Sequence, residues 1–147
     1  ANLTDIAARI GLGQLQRLEE FTAKRRQLAR HYFASIDPEL GLELPLQDFE
    51  QSNWHMFQPL LPLDRLSISR GEFIEQMKQC GIGIGVHYPA MHLFTLYRQL
   101  GWKDGDYPHA ERIGERTVTL PLFPAMHSGD VERVGMAMRE VLLPALT

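Results

Sequence analysis

The densest set of reactive groups in this sequence lies in CGIGIGVHYPAMH, residues 80–92. His87 and Tyr88 stand side by side ahead of Pro89, His92 follows five residues after His87, and Cys80 opens the segment. Imidazole and phenol hydrogen-bond ligands, imidazole exchanges protons near neutral pH, and thiolate and imidazole bind metals. Three chemistries suit these residue types: a phosphate cradle, a metal site, or a strand that delivers one histidine to a pocket built by other parts. The glycines recur at every second position, which is the wrong spacing for a dinucleotide turn, and no helix opening with Lys-Ser or Lys-Thr follows, as a P-loop requires. A metal site would draw on Cys80, His87 and His92, with His55 as a fourth ligand. The Cys-x6-His-x4-His spacing matches no common zinc module, and His-Glu-x-x-His is absent, so no metal is expected. Cys80 closes a predicted helix, where the macrodipole disfavours a thiolate, and no Gly-x-Ser-x-Gly elbow is present. The strand reading remains: Gly83 to Tyr88 alternates small and larger residues, its glycines admit another backbone or a ligand, and its end exposes His87 and Tyr88.

The elements that must position this strand end follow from periodicity. Residues 4–35 read as one long helix capped by Asn2 or Thr4, with Leu3, Ile6, Ile10, Phe21, Leu28 and Tyr32 on one face. Leu12 and Leu15 point elsewhere: they are either two tolerated surface leucines or a sign that this helix also packs against something outside this chain. Gly11 and Gly13 imply close approach or a kink. Residues 54–61 read as a strand marked as an edge or bulge by Pro59. A helix over 70–79 carries Phe73, Ile74 and Met77 inward and ends at Gly81. Short helices are expected over 93–100 and 108–115, a strand over 117–120, and a last helix over 130–143 with Val131, Val134, Met138 and Val141 inward. Three strands with helices to one side give an α+β two-layer domain.

The chain has 147 residues, 44% hydrophobic and 22% charged, enough for one domain with its own core. The net charge of −3 and the acids Glu19 and Glu20 among Arg9, Arg17, Lys24, Arg25, Arg26 and Arg30 argue against nucleic acid. No apolar run reaches a membrane span, and the single cysteine suits a reducing cytoplasm. A start at alanine, running almost at once into a helical pattern, reads as a piece of something longer.

Four stretches then carry a resemblance: NLTDIAARIGLGQLQRLEEF (2–21), WHMF (54–57), SRGEFIEQMKQCGIGIGVHYPAMH (69–92) and LPLFPAMHSGDVERV (120–134). In order and wording they resemble the C-terminal domain of the DegT/DnrJ/StrS sugar aminotransferases, nearest to the branch that makes UDP-4-amino-4-deoxy-L-arabinose. The resemblance implies the small C-terminal domain of the fold type I (aspartate aminotransferase) fold, with a three-stranded antiparallel sheet under helices and a long first helix. It implies pyridoxal 5'-phosphate (PLP) held mainly by an absent N-terminal domain, glutamate as amino donor, a nucleotide-linked keto sugar as acceptor, and a cytoplasmic homodimer. By this match Asn2 reaches the PLP phosphate of the neighbouring subunit, and His87 and Tyr88 line the sugar side. Ala90-Met91-His92 replaces the commoner Pro-Leu-His, which leaves the role of His92 open. The only lysines are Lys24, Lys78 and Lys103, none in a Ser-x-His-x-x-Lys-like setting, so no catalytic residue is expected here and the isolated chain is expected to be inactive. A different class, a non-catalytic module dimerising through its first helix, stays open on the residues alone.

Overall fold

A computed structural model describes residues 3–147. In chain order the α-helices are α1 (Asp5–Leu15), α2 (Leu18–Ser35), α3 (Arg70–Gln79), α4 (Thr95–Gln99), α5 (Pro108–Arg116) and α6 (Ser128–Leu142).

Helix α3 shows how directly local chemistry writes an element. Ser69 Oγ accepts the Glu72 N–H at 3.2 Å, and the Glu72 carboxylate accepts the Ser69 N–H at 2.8 Å. This reciprocal pair satisfies two donors that a helix start leaves unpaired. At the other end Gly81 takes φ +74, which a side chain would disfavour. That geometry lets Ile82 N–H reach Met77 O and Gly81 N–H reach Lys78 O, both at 2.9 Å. The inward stripe is Phe73 and Met77, fully buried, with Ile74 beside them partly buried.

The core forms where α2 and α3 pack against α6. Leu28 and Tyr32 come from α2, and Val131, Val134, Met138, Val141 and Leu142 from α6, so the inward face expected for the last helix is the buried one. Each such side chain contributes about 1.5–3 kcal/mol by leaving water. Aromatic residues close one side: Tyr32 stacks on Phe57 at 4.8 Å, and Phe33 meets Phe49, Trp54 and Phe57 edge-on.

The expected three-stranded antiparallel sheet is not formed: no continuous strand occurs among the described residues. Among the described residues the extended segments meet at isolated antiparallel bridges: Glu43 with Leu60, Leu60 with Thr117, Phe57 with Leu120, and Gly85 with Thr119. The lateral order is therefore residue 43, 57–60, 117–120, then 85. Pro59 accounts for part of the interruption. It accepts the Val118 N–H at 3.1 Å but has no N–H to return. Trp54, with φ +49, bends the chain at the start of the same segment.

The first helix departs most from expectation. It breaks after Leu15, with Arg17 at φ −101, ψ 4 preceding α2. Gly11 and Gly13 lie before the break, and a Cβ on either would meet nothing within 4 Å, so neither serves close approach to another described part of this chain. Thr4 supplies the cap, accepting the Ala7 N–H at 3.3 Å; Asn2 lies outside the described residues. Leu28 and Tyr32 are buried as the shared apolar face requires, yet α1 buries no residue at all. The helix expected over 93–100 is a 3-10 turn, Met91–Leu93, followed by the short α4.

Candidate functional site

Gly85 and Thr119 exchange backbone hydrogen bonds, Gly85 N–H to Thr119 O at 3.1 Å and Thr119 N–H to Gly85 O at 2.8 Å. Residues two apart on an extended chain share a face, so His87 comes to Thr119's side, with its Nδ1 2.8 Å from Thr119 Oγ1. Gln58, on the neighbouring segment, donates its amide N–H to His87 O and stands 3.5 Å from Thr119 Oγ1. Three extended segments thus meet in one polar cluster, and each supplies one member. An added Cβ at Gly85 would lie 2.7 Å from His87 Cε1, so a larger residue here would displace the His87 ring. The group admitted by this glycine is the histidine of its own strand.

Holding Nδ1 against a hydroxyl fixes the ring orientation. Among the described residues Nε2 has no hydrogen-bond partner, which leaves it for a ligand or solvent. Tyr88 is 68% exposed, with its ring edge-on to His87 at 5.0 Å. His87 and Tyr88 therefore sit together just past the Gly85–Thr119 bridge, in an extended segment rather than at the end of the strand expected over 83–88.

His92 belongs to a different assembly. It is only 9% exposed, and its Nε2 lies 2.8 Å from Glu111 Oε1. The same carboxylate accepts N–H bonds from Gly105 at 2.9 Å and Tyr107 at 3.2 Å. These bonds, the Gly105 amide first and His92 second, hold the Glu111 carboxyl below the usual range. Tyr107 packs edge-on to His92 at 4.9 Å, and Trp102 lies 5.4 Å from Tyr107. His92 is thus joined to the 105–107 backbone through their shared partner, Glu111.

Cys80 ends α3 half-buried, and His55 is exposed. Among the described residues no three His, Cys, Asp or Glu side chains come together in a way that could share a metal ion. Several arginines of the basic run serve their own chain. Arg17 pairs with Glu20 at 3.3 Å, Arg26 donates to the Ser52 carbonyl at 3.1 Å, and Arg30 covers the Phe49 ring at 4.4 Å.

Gln58 and Thr119 are the site residues that sequence reasoning missed. Thr119 had a readable signal, since it alternates with the buried Val118 and Leu120 and so faces away from the core. Gln58 alternates in the same way between the buried Phe57 and Pro59. Neither pattern indicates the partner, because that depends on which segments pair.

Comparison with known proteins bears on what such a segment serves. The chain is 37% identical over 143 residues to the uncharacterized protein MJ1066 of Methanocaldococcus jannaschii. It is 32% identical over 144 residues to the spore coat polysaccharide biosynthesis protein SpsC of Bacillus subtilis. Each alignment covers 96% of this chain and 37% of the relative, so the chain spans little more than a third of their length. Among solved structures, the putative sugar aminotransferase Spr1654 of Streptococcus pneumoniae in its PLP form superposes with a TM-score of 0.89 at 27% identity, over 99% of this chain and 37% of that one. The aminotransferase TlmJ of Streptoalloteichus hindustanus gives 0.80 at 30% identity, over 95% and 36%. The model of the DegT/DnrJ/EryC1/StrS aminotransferase family matches residues 1–139, and the chain belongs to that family.

Proposed function

We propose that this chain is the C-terminal domain of a PLP-dependent aminotransferase that moves an amino group from glutamate to a nucleotide-linked keto sugar. The observation that carries the reading is the His87 ring, oriented by Thr119 with Nε2 open and Tyr88 exposed beside it, in a chain of this family. An imidazole so held can hydrogen-bond an acceptor sugar from a fixed direction. The finer reading places the acceptor among UDP-linked 4-keto sugars used in polysaccharide, lipopolysaccharide or antibiotic synthesis, and the active form as a cytoplasmic homodimer. No described helix is long and apolar enough to cross a membrane.

The described residues do not fit PLP by themselves. Lys78 is exposed and pairs with Glu75 at 3.5 Å, Lys103 is exposed, and Lys24 lines a cleft with Arg30, His31 and His127. None belongs to the Gln58–His87–Thr119 cluster. In this reading the lysine that holds the cofactor covalently lies outside this chain, and Asn2 reaches the cofactor phosphate in the neighbouring subunit. The cofactor supplies the electron sink for amino transfer, while this chain positions the acceptor. The exposed apolar face of α1 favours a second reading, a non-catalytic dimerisation or interaction module.

The test uses an enzyme that carries this chain, with its two half-reactions followed separately. His87→Ala should slow transfer to the keto sugar about tenfold, the worth of one ligand hydrogen bond, and leave amination by glutamate unchanged. Asn2→Ala should weaken PLP retention by about ten- to a hundredfold. The 147-residue chain alone should retain no stoichiometric PLP after desalting. Equal slowing of both halves by His87→Ala would refute the acceptor role, and an unaffected enzyme would favour the interaction module.

A further inference from the structure

Helix α5 carries Glu111 and Gly114 three residues apart, hence on one face. Gly114 is buried within α5, a position where glycine is less favourable to the helix than alanine. The reason lies in the segment it faces: a Cβ at Gly114 would overlap the Ala90 nitrogen and lie 3.0 Å from the Pro89 carbonyl carbon. The backbone just after Tyr88 therefore rests directly on this helix. Two residues further on, His92 is bound by Glu111, whose carboxylate also takes the Gly105 and Tyr107 amides. The helix is itself fixed, because Arg70 at the start of α3 donates to the Gly114 and Thr117 carbonyls at its end.

We infer that Gly114 and Glu111 are positioning residues for His87 and Tyr88. Gly114 seats the 89–90 backbone and Glu111 pins His92, so one helix face sets the angle at which the extended segment leaves Thr119. The positioning of an acceptor-facing group rests on the function proposed above. The arrangement itself is read at the His87 ring, so failure of the functional reading, seen in the half-reactions, is separate from failure here.

The test is nuclear magnetic resonance and amide exchange on the 147-residue chain. In the unaltered protein His87 Nδ1 should show the signature of a hydrogen-bonded nitrogen. Gly114→Ala should move that signal towards free imidazole and speed exchange of the 85–90 amides at least tenfold. Gly129→Ala, where a Cβ meets nothing within 4 Å, should change neither. Glu111→Ala should also shift the His87 signal and should speed exchange at Gly105 and Tyr107 at least tenfold. Glu111→Gln, which keeps an acceptor oxygen, should restore much of that protection. A His87 signal unmoved by Gly114→Ala overturns the proposal. If Gly114→Ala does not fold, Glu111→Ala, which creates no backbone clash, decides, and a His87 signal it leaves unmoved overturns the proposal equally.

Discussion

Helices α1 and α6 carry similar apolar content and meet opposite fates. Helix α6 buries Val131, Val134, Ala137, Met138, Val141 and Leu142, whereas α1 buries nothing and leaves Ile6 77%, Ile10 63% and Leu15 65% exposed. The difference is one of partners. Helix α6 meets α2 and α3, while α1 extends beyond the turn at Gln16–Arg17 with its apolar residues uncovered among the described residues. Periodicity shows that a helix face needs cover; it does not show that the same chain supplies it. An eleven-residue helix is marginal in water without packing, so α1 as described is suited to a surface that this chain does not provide.

The contrast is broken most forcefully in the core. Leu142→Ala, at a site that is fully buried, should cost about 2–5 kcal/mol. A shift in the urea midpoint of less than about 0.5 kcal/mol equivalent would mean that α6 is no better packed than α1.

A smaller effect reports on the same core through pH. Burial, and after it the Asp130 charge, pushes the Tyr32 phenol well above its ordinary value. Folded Tyr32 keeps its proton where the unfolded chain releases it. This stabilisation is therefore complete below the unfolded value near pH 10 and is lost as pH rises beyond it, at about 1.4 kcal/mol per unit. Tyr32→Phe removes the 2.7 Å bond to Pro121 O and should cost about 1 kcal/mol at pH 7. In urea titrations between pH 8 and 11 it should also make the alkaline decline shallower; an identical decline would place that titration elsewhere.

The smallest change in stability is expected on α1. Replacing Leu12 and Leu15 together by glutamine should alter stability by less than about 0.5 kcal/mol and reduce self-association in sedimentation. A cost of several kcal/mol would show that they complete this chain's own core.

How much was legible in the sequence follows the same division. Helix α3 was readable to its ends, because Ser69, Glu72 and Gly81 each act within a few residues of where they stand. The inward face of α6 was readable for the same reason. Alternation over 83–88 indicated an extended segment, and the structure pairs it at Gly85 alone. The cluster that orients His87 was not readable, since Gln58, His87 and Thr119 are far apart in sequence and meet only through segment pairing. The strand expected over 54–61, with Pro59 marking an edge or bulge, is reduced to bridges at Phe57 and Leu60, because the missing N–H of Pro59 falls opposite Val118, a pairing that local sequence does not show. The break at Gln16–Arg17 carried no glycine or proline to announce it, and the glycines that did stand nearby were not its cause.

Native-state amide exchange along the 147-residue chain tests most directly whether one closed core and one unpartnered helix share this sequence. The α6 amides should exchange only through global unfolding, with protection of at least about a thousandfold. The α1 amides should exchange within about tenfold of unprotected rates. Protection of α1 equal to that of α6 would contradict the account, because it would mean that this chain covers the face described here as open.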